Sequence, residues 1–163
     1  MASPNDIDRE PFLAWLDALV KRLEATPVVY PLDPAIVEAV YARAYAALEA
    51  SQWAHAWKLF VMLLGQRPTE PRMLVGFAHA FKGLGMPRYA AVPFGLAAYI
   101  DPENPGPMLG FAQCLIAMHE AEAARTVLAN LASGCEGREE LAALAAQAHA
   151  LRDILERDAA QHA

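Results

Sequence analysis

The chain reads as an all-α superhelix of three helix-turn-helix repeats, with an amphipathic helix before them and a capping helix after. Three observations predict this. Apolar residues recur every 34 positions: Ala44, Ala78 and Ala112; Ala56, Ala90 and Ala124; Phe60, Phe94 and Leu128; Val40, Leu74 and Met108. Prolines keep the same interval, Pro68 with Pro102 and Pro71 with Pro105. The composition is 56% hydrophobic, and much of the excess is alanine, the best helix former and a side chain that lets helices approach closely.

A self-similarity of 34 residues is the period of the tetratricopeptide helix pair, and stacked pairs of this kind present a concave face to other polypeptides. Residues 1–10 are polar and expected to fray. From Pro11, residues Phe12, Trp15, Leu16, Leu19, Val20 and Leu23 form one apolar stripe at helical spacing. Thr26-Pro27 ends that helix, and Val28 to Leu32 form a proline-bounded connector. Asp33 is a good N-cap with Pro34 at the first helical position.

The repeats run from Val37 to Glu70, Pro71 to Asn104 and Pro105 to Arg138, with second helices starting near Trp53, Pro87 and Ala121. Ser51, Gly85 and His119 occupy equivalent places in the turns. Gly85 suits the left-handed backbone that often ends a helix, whereas His119 is a poorer fit. Pro93 falls inside the second helix of the second repeat. It removes a backbone donor and is expected to bend that helix, at about 3 kcal/mol unless packing accommodates it. From Glu139 a last helix carries Leu141, Leu144, Ala148, Leu151 and Leu155 on one stripe and Arg152, Asp153, Glu156 and Arg157 on the other. That is the pattern of a terminal cap; Ala159 to Ala163 are expected to be unstructured. The organisation is therefore 1–32, N-terminal helix and connector; 33–138, three repeats; 139–163, capping helix and tail.

The formal charge of −6 argues against nucleic acid, which needs a basic surface to displace counterions. No run approaches the roughly 20 apolar residues that span a bilayer, so no direct membrane insertion is expected. The start of the chain shows neither a basic nor an apolar signal region, and Cys114 and Cys135 are the only cysteines. Both features point to the reducing cytosol. His55, His79, His119, His149 and His162 are dispersed without metal-ligand spacing. Gly83-Leu84-Gly85 lacks the rest of a phosphate loop. Cys114 belongs at a buried helix position, where a thiol is inert. A binding protein without catalytic residues, metal or cofactor is expected.

The first helix of each pair lines the concave side. Its inward positions read Glu38, Tyr41, Tyr45 and Leu48; Arg72, Val75, His79 and Lys82; Gly106, Leu109, Gln113 and Ile116. A clamp for an acidic tail would need Lys, Arg and Asn converging on a carboxylate. Tyr41, Tyr45, Gly106 and Gly110 stand at the corresponding places, so an apolar ligand segment fits better. Tyrosine supplies large contact area with one polar handle. Trp53 and Trp57 read as packing residues.

Over residues 33–157 the chain resembles the class II chaperones of bacterial type III secretion. The stretches that carry the resemblance are Val40 to Tyr45, Glu70 to Gly76, Gly85 with Ala90, Ala98 to Asp101, and Pro105 through Phe111-Ala112-Gln113-Cys114-Leu115. The resemblance implies a cytoplasmic chaperone whose groove holds an extended, proline- and leucine-containing segment of a hydrophobic translocator. Tyr41 matches the family's groove tyrosine and Tyr45 its usual aromatic. Leu48, Trp53 and His79 depart from the pattern. It also implies self-association into a homodimer through the N-terminal helix, with Phe12, Trp15, Leu16 and Leu19 as the exposed stripe. The competing readings are the smaller repeat chaperone of needle subunits, whose cargo is a helix, and a scaffold that uses the same groove without chaperoning.

Overall fold

Helix-forming sequence interrupted at regular intervals yields helices of nearly equal length. The computed structural model describes residues 9–28 and 30–161. Among them α1 spans Arg9–Glu24, α2 Pro34–Glu49, α3 Trp53–Gln66, α4 Pro71–Gly83, α5 Pro87–Ile100, α6 Gly106–Ala117, α7 Ala121–Gly134 and α8 Ala142–Gln161. The pairs α2/α3, α4/α5 and α6/α7 are the three repeats, and from α2 to α8 each helix packs on the next.

Local chemistry sets the boundaries. The Asp33 carboxylate accepts from the Ala35 N–H at 2.7 Å, capping α2 ahead of Pro34. Within each pair, Ser51, Gly85 and His119 all take the left-handed backbone, with φ of 56°, 72° and 62°. His119 thus adopts the conformation for which its side chain is a poor fit. The compensation is hydrogen bonding. The N–H of the following residue reaches back five positions, Gln52 to Ala47, Met86 to Phe81 and Glu120 to Leu115, at 2.8–3.0 Å. A second bond reaches back three positions from the left-handed residue itself. These paired bonds satisfy carbonyls that a helix end leaves open, and they hold Ser51 and His119 in place against a steric cost of about 1–2 kcal/mol.

The repeating alanines are fully buried where paired helices cross, as are Phe60, Phe94 and Leu128. The core is divided into three clusters along the array, centred on Phe60, Phe94 and Leu128, as expected of a fold in which each unit touches only its neighbours. Two glycines set the closeness of that stacking. A Cβ on Gly76 would lie 2.1 Å from the Phe60 ring, and one on Gly110 would lie 2.5 Å from the Phe94 ring. Each phenyl ring is therefore lodged against the backbone of the next repeat's first helix.

Helix α5 continues through Pro93, whose ring is buried. The packing around it offsets the lost donor. At the C-terminal end, Ala148 and Leu155 are buried against the last repeat, and the Arg125 guanidinium donates to the Leu155 carbonyl at 3.3 Å. Residues 159–161 are helical, which corrects the expectation of an unstructured tail from Ala159. Alanine favours helix there, and the preceding turns are tied by the Arg152–Glu156 ion pair at 3.4 Å; 162–163 lie outside the described residues.

The connector before α2 is held by Leu32, which packs against the first core cluster, and by the Gln66 side chain. Gln66 Oε1 accepts from the Leu32 N–H at 2.9 Å, and Gln66 Nε2 donates to the Tyr30 carbonyl at 3.2 Å. Beyond it, Leu16 and Leu19 of α1 face the outer side of α5 across an apolar cleft of about 750 Å³ that also includes Val92, Leu96 and Phe111. Phe12 and Trp15, expected on the same stripe, have side chains outside the described residues.

Gly76→Ala is expected to lower stability by about 1–3 kcal/mol, because the Phe60 ring has nowhere to go. Gly95→Ala, whose nearest neighbour would be Phe111 at 3.9 Å, is expected to raise it by about 0.5–1 kcal/mol through helix propensity. Thermal and urea unfolding of the two variants measure both; equal effects would contradict the close-contact account.

Candidate functional site

The inward faces of α2, α4 and α6 form one groove containing two cavities. The larger, about 640 Å³, lies between α2 and α4 and is lined by Tyr41, Tyr45, Leu48, Arg72, Val75 and His79, among others. The smaller, about 340 Å³, lies between α4 and α6 and is lined by Val75, His79, Leu109 and Gln113 with Phe94, Gly106 and Gly110. The second repeats the first one period on: Tyr41 and Tyr45 in one wall correspond to Val75 and His79 in the next. Lys82 and Ile116 line neither cavity. Lys82 Nζ donates to Gln113 Oε1, and Ile116 packs on the cluster of the third repeat.

Tyr41 is the most constrained wall residue. It stacks on Tyr45 with ring centres 6.4 Å apart and meets the Phe60 edge at 6.2 Å. The Arg72 guanidinium sits 4.6 Å over its face, a favourable cation–π geometry. Arg72 is itself held by Glu38 at 2.6 and 2.9 Å and by Glu70 at 3.3 Å, while Arg67 reaches Glu38 at 3.1 Å. The hydrogen bond from Arg72 is the main cause holding the Glu38 carboxyl below its usual range. Burial pushes the Tyr41 phenol up, so it stays a neutral hydroxyl near neutral pH.

His79 rests edge-on against Phe94 with ring centres 5.1 Å apart. Desolvation by the groove walls, with Lys82 adding repulsion, holds its pKa below the ordinary value, so it is neutral at pH 7. The desolvation acts although the side chain keeps an open edge toward the groove.

Several lining residues were not anticipated from the sequence. Trp53 lines the larger cavity while its indole presses on Gly83, where a Cβ would lie 2.2 Å away. Glu49, Glu70 and Asp101 line the larger cavity, and Asn104 lines both. A signal for two of these existed: Glu70 and Asn104 stand one period apart, each directly before a repeat-opening proline. Trp57 packs against Phe77 and Phe81, with ring centres 6.5 and 6.2 Å away, as a packing residue should.

The groove offers shape, apolar walls and hydrogen-bonding groups. Among the described residues, no group of three or more His, Cys, Asp or Glu could hold a metal ion, and no helix is long and apolar enough to cross a membrane. Cys114 is buried, and burial raises its thiol pKa away from the reactive thiolate.

The backbone aligns with the type III secretion translocator chaperone SycD of Yersinia enterocolitica at a TM-score of 0.73 and 17% identity, over 78% of this chain and 88% of that one. PcrH from Pseudomonas aeruginosa aligns at 0.72 and 21%, over 78% and 97%. The Sgt2 TPR domain of Aspergillus fumigatus aligns at 0.67 and 17%, over 84% and 87%. The fold is that of a tetratricopeptide-repeat domain. No family model matches the sequence, and no curated protein sequence matches it. The repeat domain thus shares its backbone, at low identity, with a type III secretion chaperone and with the Sgt2 TPR domain alike.

Because Cys114 and Cys135 are both buried, native-state labelling by a thiol reagent such as DTNB is expected to be roughly a hundredfold slower than in denaturant, limited by opening of the fold. Rapid native labelling of Cys114 would refute its assignment as an inert core residue.

Proposed function

We propose that this protein is a class II chaperone of a bacterial type III secretion system. It holds an extended segment of a hydrophobic translocator in the concave groove and keeps that cargo soluble in the cytosol before export. The observation that carries this reading is the run of two apolar cavities across α2, α4 and α6, walled by Tyr41, Tyr45 and Leu48 and then by Val75 and Leu109. Support also comes from structures of the same fold solved with translocator segments: SycD with a peptide of YopD, and PcrH with the chaperone-binding regions of PopD and PopB. The identities to these are 17, 21 and 23%, so the inference rests on fold and groove chemistry together.

A translocator bound for a membrane carries long apolar segments that aggregate in water. A partner that binds the unassembled form shifts the equilibrium by mass action alone. An open groove of this kind works without a nucleotide, and release falls to the secretion machinery. Self-association into a homodimer is part of the proposal. The stripe that includes Leu16 and Leu19 is amphipathic, and its facing cleft is not filled by α1.

Co-expression with the translocators encoded by the same organism is expected to move them from the insoluble to the soluble fraction. Translocators equally insoluble with and without this protein would refute the chaperone reading and leave a scaffold. Tyr41→Ala with Tyr45→Ala is expected to weaken cargo binding about tenfold or more, as for buried aromatic anchors; unchanged affinity would place the site elsewhere. Leu16→Asp with Leu19→Asp is expected to shift the mass measured by sedimentation toward the monomer, and an unchanged dimer would exclude the α1 stripe.

A further inference from the structure

An extended segment lying in an apolar groove brings its backbone N–H and C=O groups with it. Leaving them without partners costs more than the hydrogen bonds would contribute. The groove must therefore supply both donors and acceptors where the two cavities meet. Val75, His79 and Asn104 line both cavities, so the crossing point carries two polar side chains, with Gln113 close by in the smaller cavity.

The amides there are already half used. Asn104 Oδ1 accepts from the Gly106 N–H at 3.1 Å, and its Nδ2 is uncommitted. Gln113 Oε1 accepts from Lys82, and its NH₂ is uncommitted. Both amides thus have one oxygen lone pair committed inside the protein and their NH₂ donors uncommitted. Glu49 and Asp101 line the larger cavity and not the smaller. The imidazole of His79 has no hydrogen-bond partner among the described residues, and a neutral imidazole carries one donor and one acceptor.

On the reading of the groove given above, we infer that His79 is the acceptor that fixes the bound segment's backbone at the crossing between the cavities. It takes a hydrogen bond from a ligand N–H while Asn104 donates to a ligand carbonyl. The cargo so recognised is a segment with an intact amide N–H between its two apolar anchors; a proline or N-methylated residue at that place is discriminated against. Recognition is also pH-dependent, because protonation converts the acceptor into a second donor facing a ligand donor.

The groups around His79 agree with a neutral resting state. On its own helix Lys82 opposes protonation, as does desolvation by the groove walls. From α2 the larger cavity receives Tyr45 and Glu49, and from α3 the uncharged Trp53. The loop before α4 adds Glu70, paired with Arg72, and the loop after α5 adds Asp101. The α6 side supplies the uncharged Gln113. The carboxylates line only the larger cavity, and the lowered pKa of His79 is set by desolvation first and Lys82 second.

The test is fluorescence anisotropy of a labelled peptide from the chaperone-binding region of PopD, titrated with the full chain between pH 7.5 and 5. Wild-type affinity is expected to fall as the pH drops. His79→Ala is expected to bind about two- to tenfold more weakly at pH 7.5, the worth of one hydrogen bond, and to lose the pH dependence. His79→Asn, which restores a neutral acceptor, is expected to recover most of the affinity and to stay flat with pH. N-methylation of the amide between the anchors is expected to weaken wild-type binding and leave His79→Ala unchanged. A pH-independent wild type, or a His79→Ala protein with the same slope as wild type, overturns the inference. The Tyr41→Ala, Tyr45→Ala protein separates the two levels. If it binds undiminished, or if no peptide binds wild type, the groove reading falls and this inference with it. If it fails to bind while His79→Ala behaves as wild type, only the role of His79 falls. Unfolding temperatures of the variants verify that each remains folded.

Discussion

The contact on which the rest of the structure depends is a phenyl ring pressed against a glycine backbone. Phe60 lies under Gly76, and one period later Phe94 lies under Gly110. Each ring belongs to the second helix of one repeat, and each glycine to the first helix of the next. The separation between successive repeats is therefore set by the thickness of a ring with no Cβ in between. Packed interiors behave as close-packed solids, so this spacing passes directly to the inward faces of α2, α4 and α6. The walls of both cavities stand where they do because those contacts recur.

Side-chain charge is organised around the same stacking. Glu38 on α2 receives Arg72 from α4 and Arg67 from the loop before it, so the ion network bridges the first repeat to the second across the groove's rim. Such exposed pairs contribute little to stability, about 0–1 kcal/mol each. Their effect is positional: Arg72 is kept over the Tyr41 ring, and Tyr41 is kept upright against Phe60. With Arg72, Arg67 and Lys82 all engaged internally, the groove presents aromatic surface, neutral hydrogen-bonding groups and, in the larger cavity, the carboxylates of Glu49 and Asp101.

Much of this was legible before any coordinates. The 34-residue interval located all three helix pairs, and the second helices begin at Trp53, Pro87 and Ala121 as the pattern required. One helix face per repeat could be read because its positions follow from that interval, and nine of the twelve inward positions line a cavity. Glu38, Lys82 and Ile116 do not: Glu38 is held by Arg67 and Arg72, Lys82 by Gln113, and Ile116 packs on the third core cluster. What escaped reading depends on tertiary placement. Asn104 and Asp101 come from a loop whose position is decided by stacking, and Trp53 serves packing and groove together. The left-handed turns at Ser51 and His119 escaped for another reason: paired backbone hydrogen bonds outweighed the preference of the residue that happens to sit there.

The grip of Gln66 on the connector has a mechanical consequence. One amide side chain holds the Tyr30 carbonyl and the Leu32 N–H at once, as a cleat holds a rope on both sides of the bend. Tension along the connector is therefore shared between α2, into which Leu32 leads through Asp33 and Pro34, and the C-terminal turn of α3, which Gln66 engages. The outer helix of the first repeat thus takes part of a load that would otherwise fall entirely on the helix bearing Tyr41 and Tyr45.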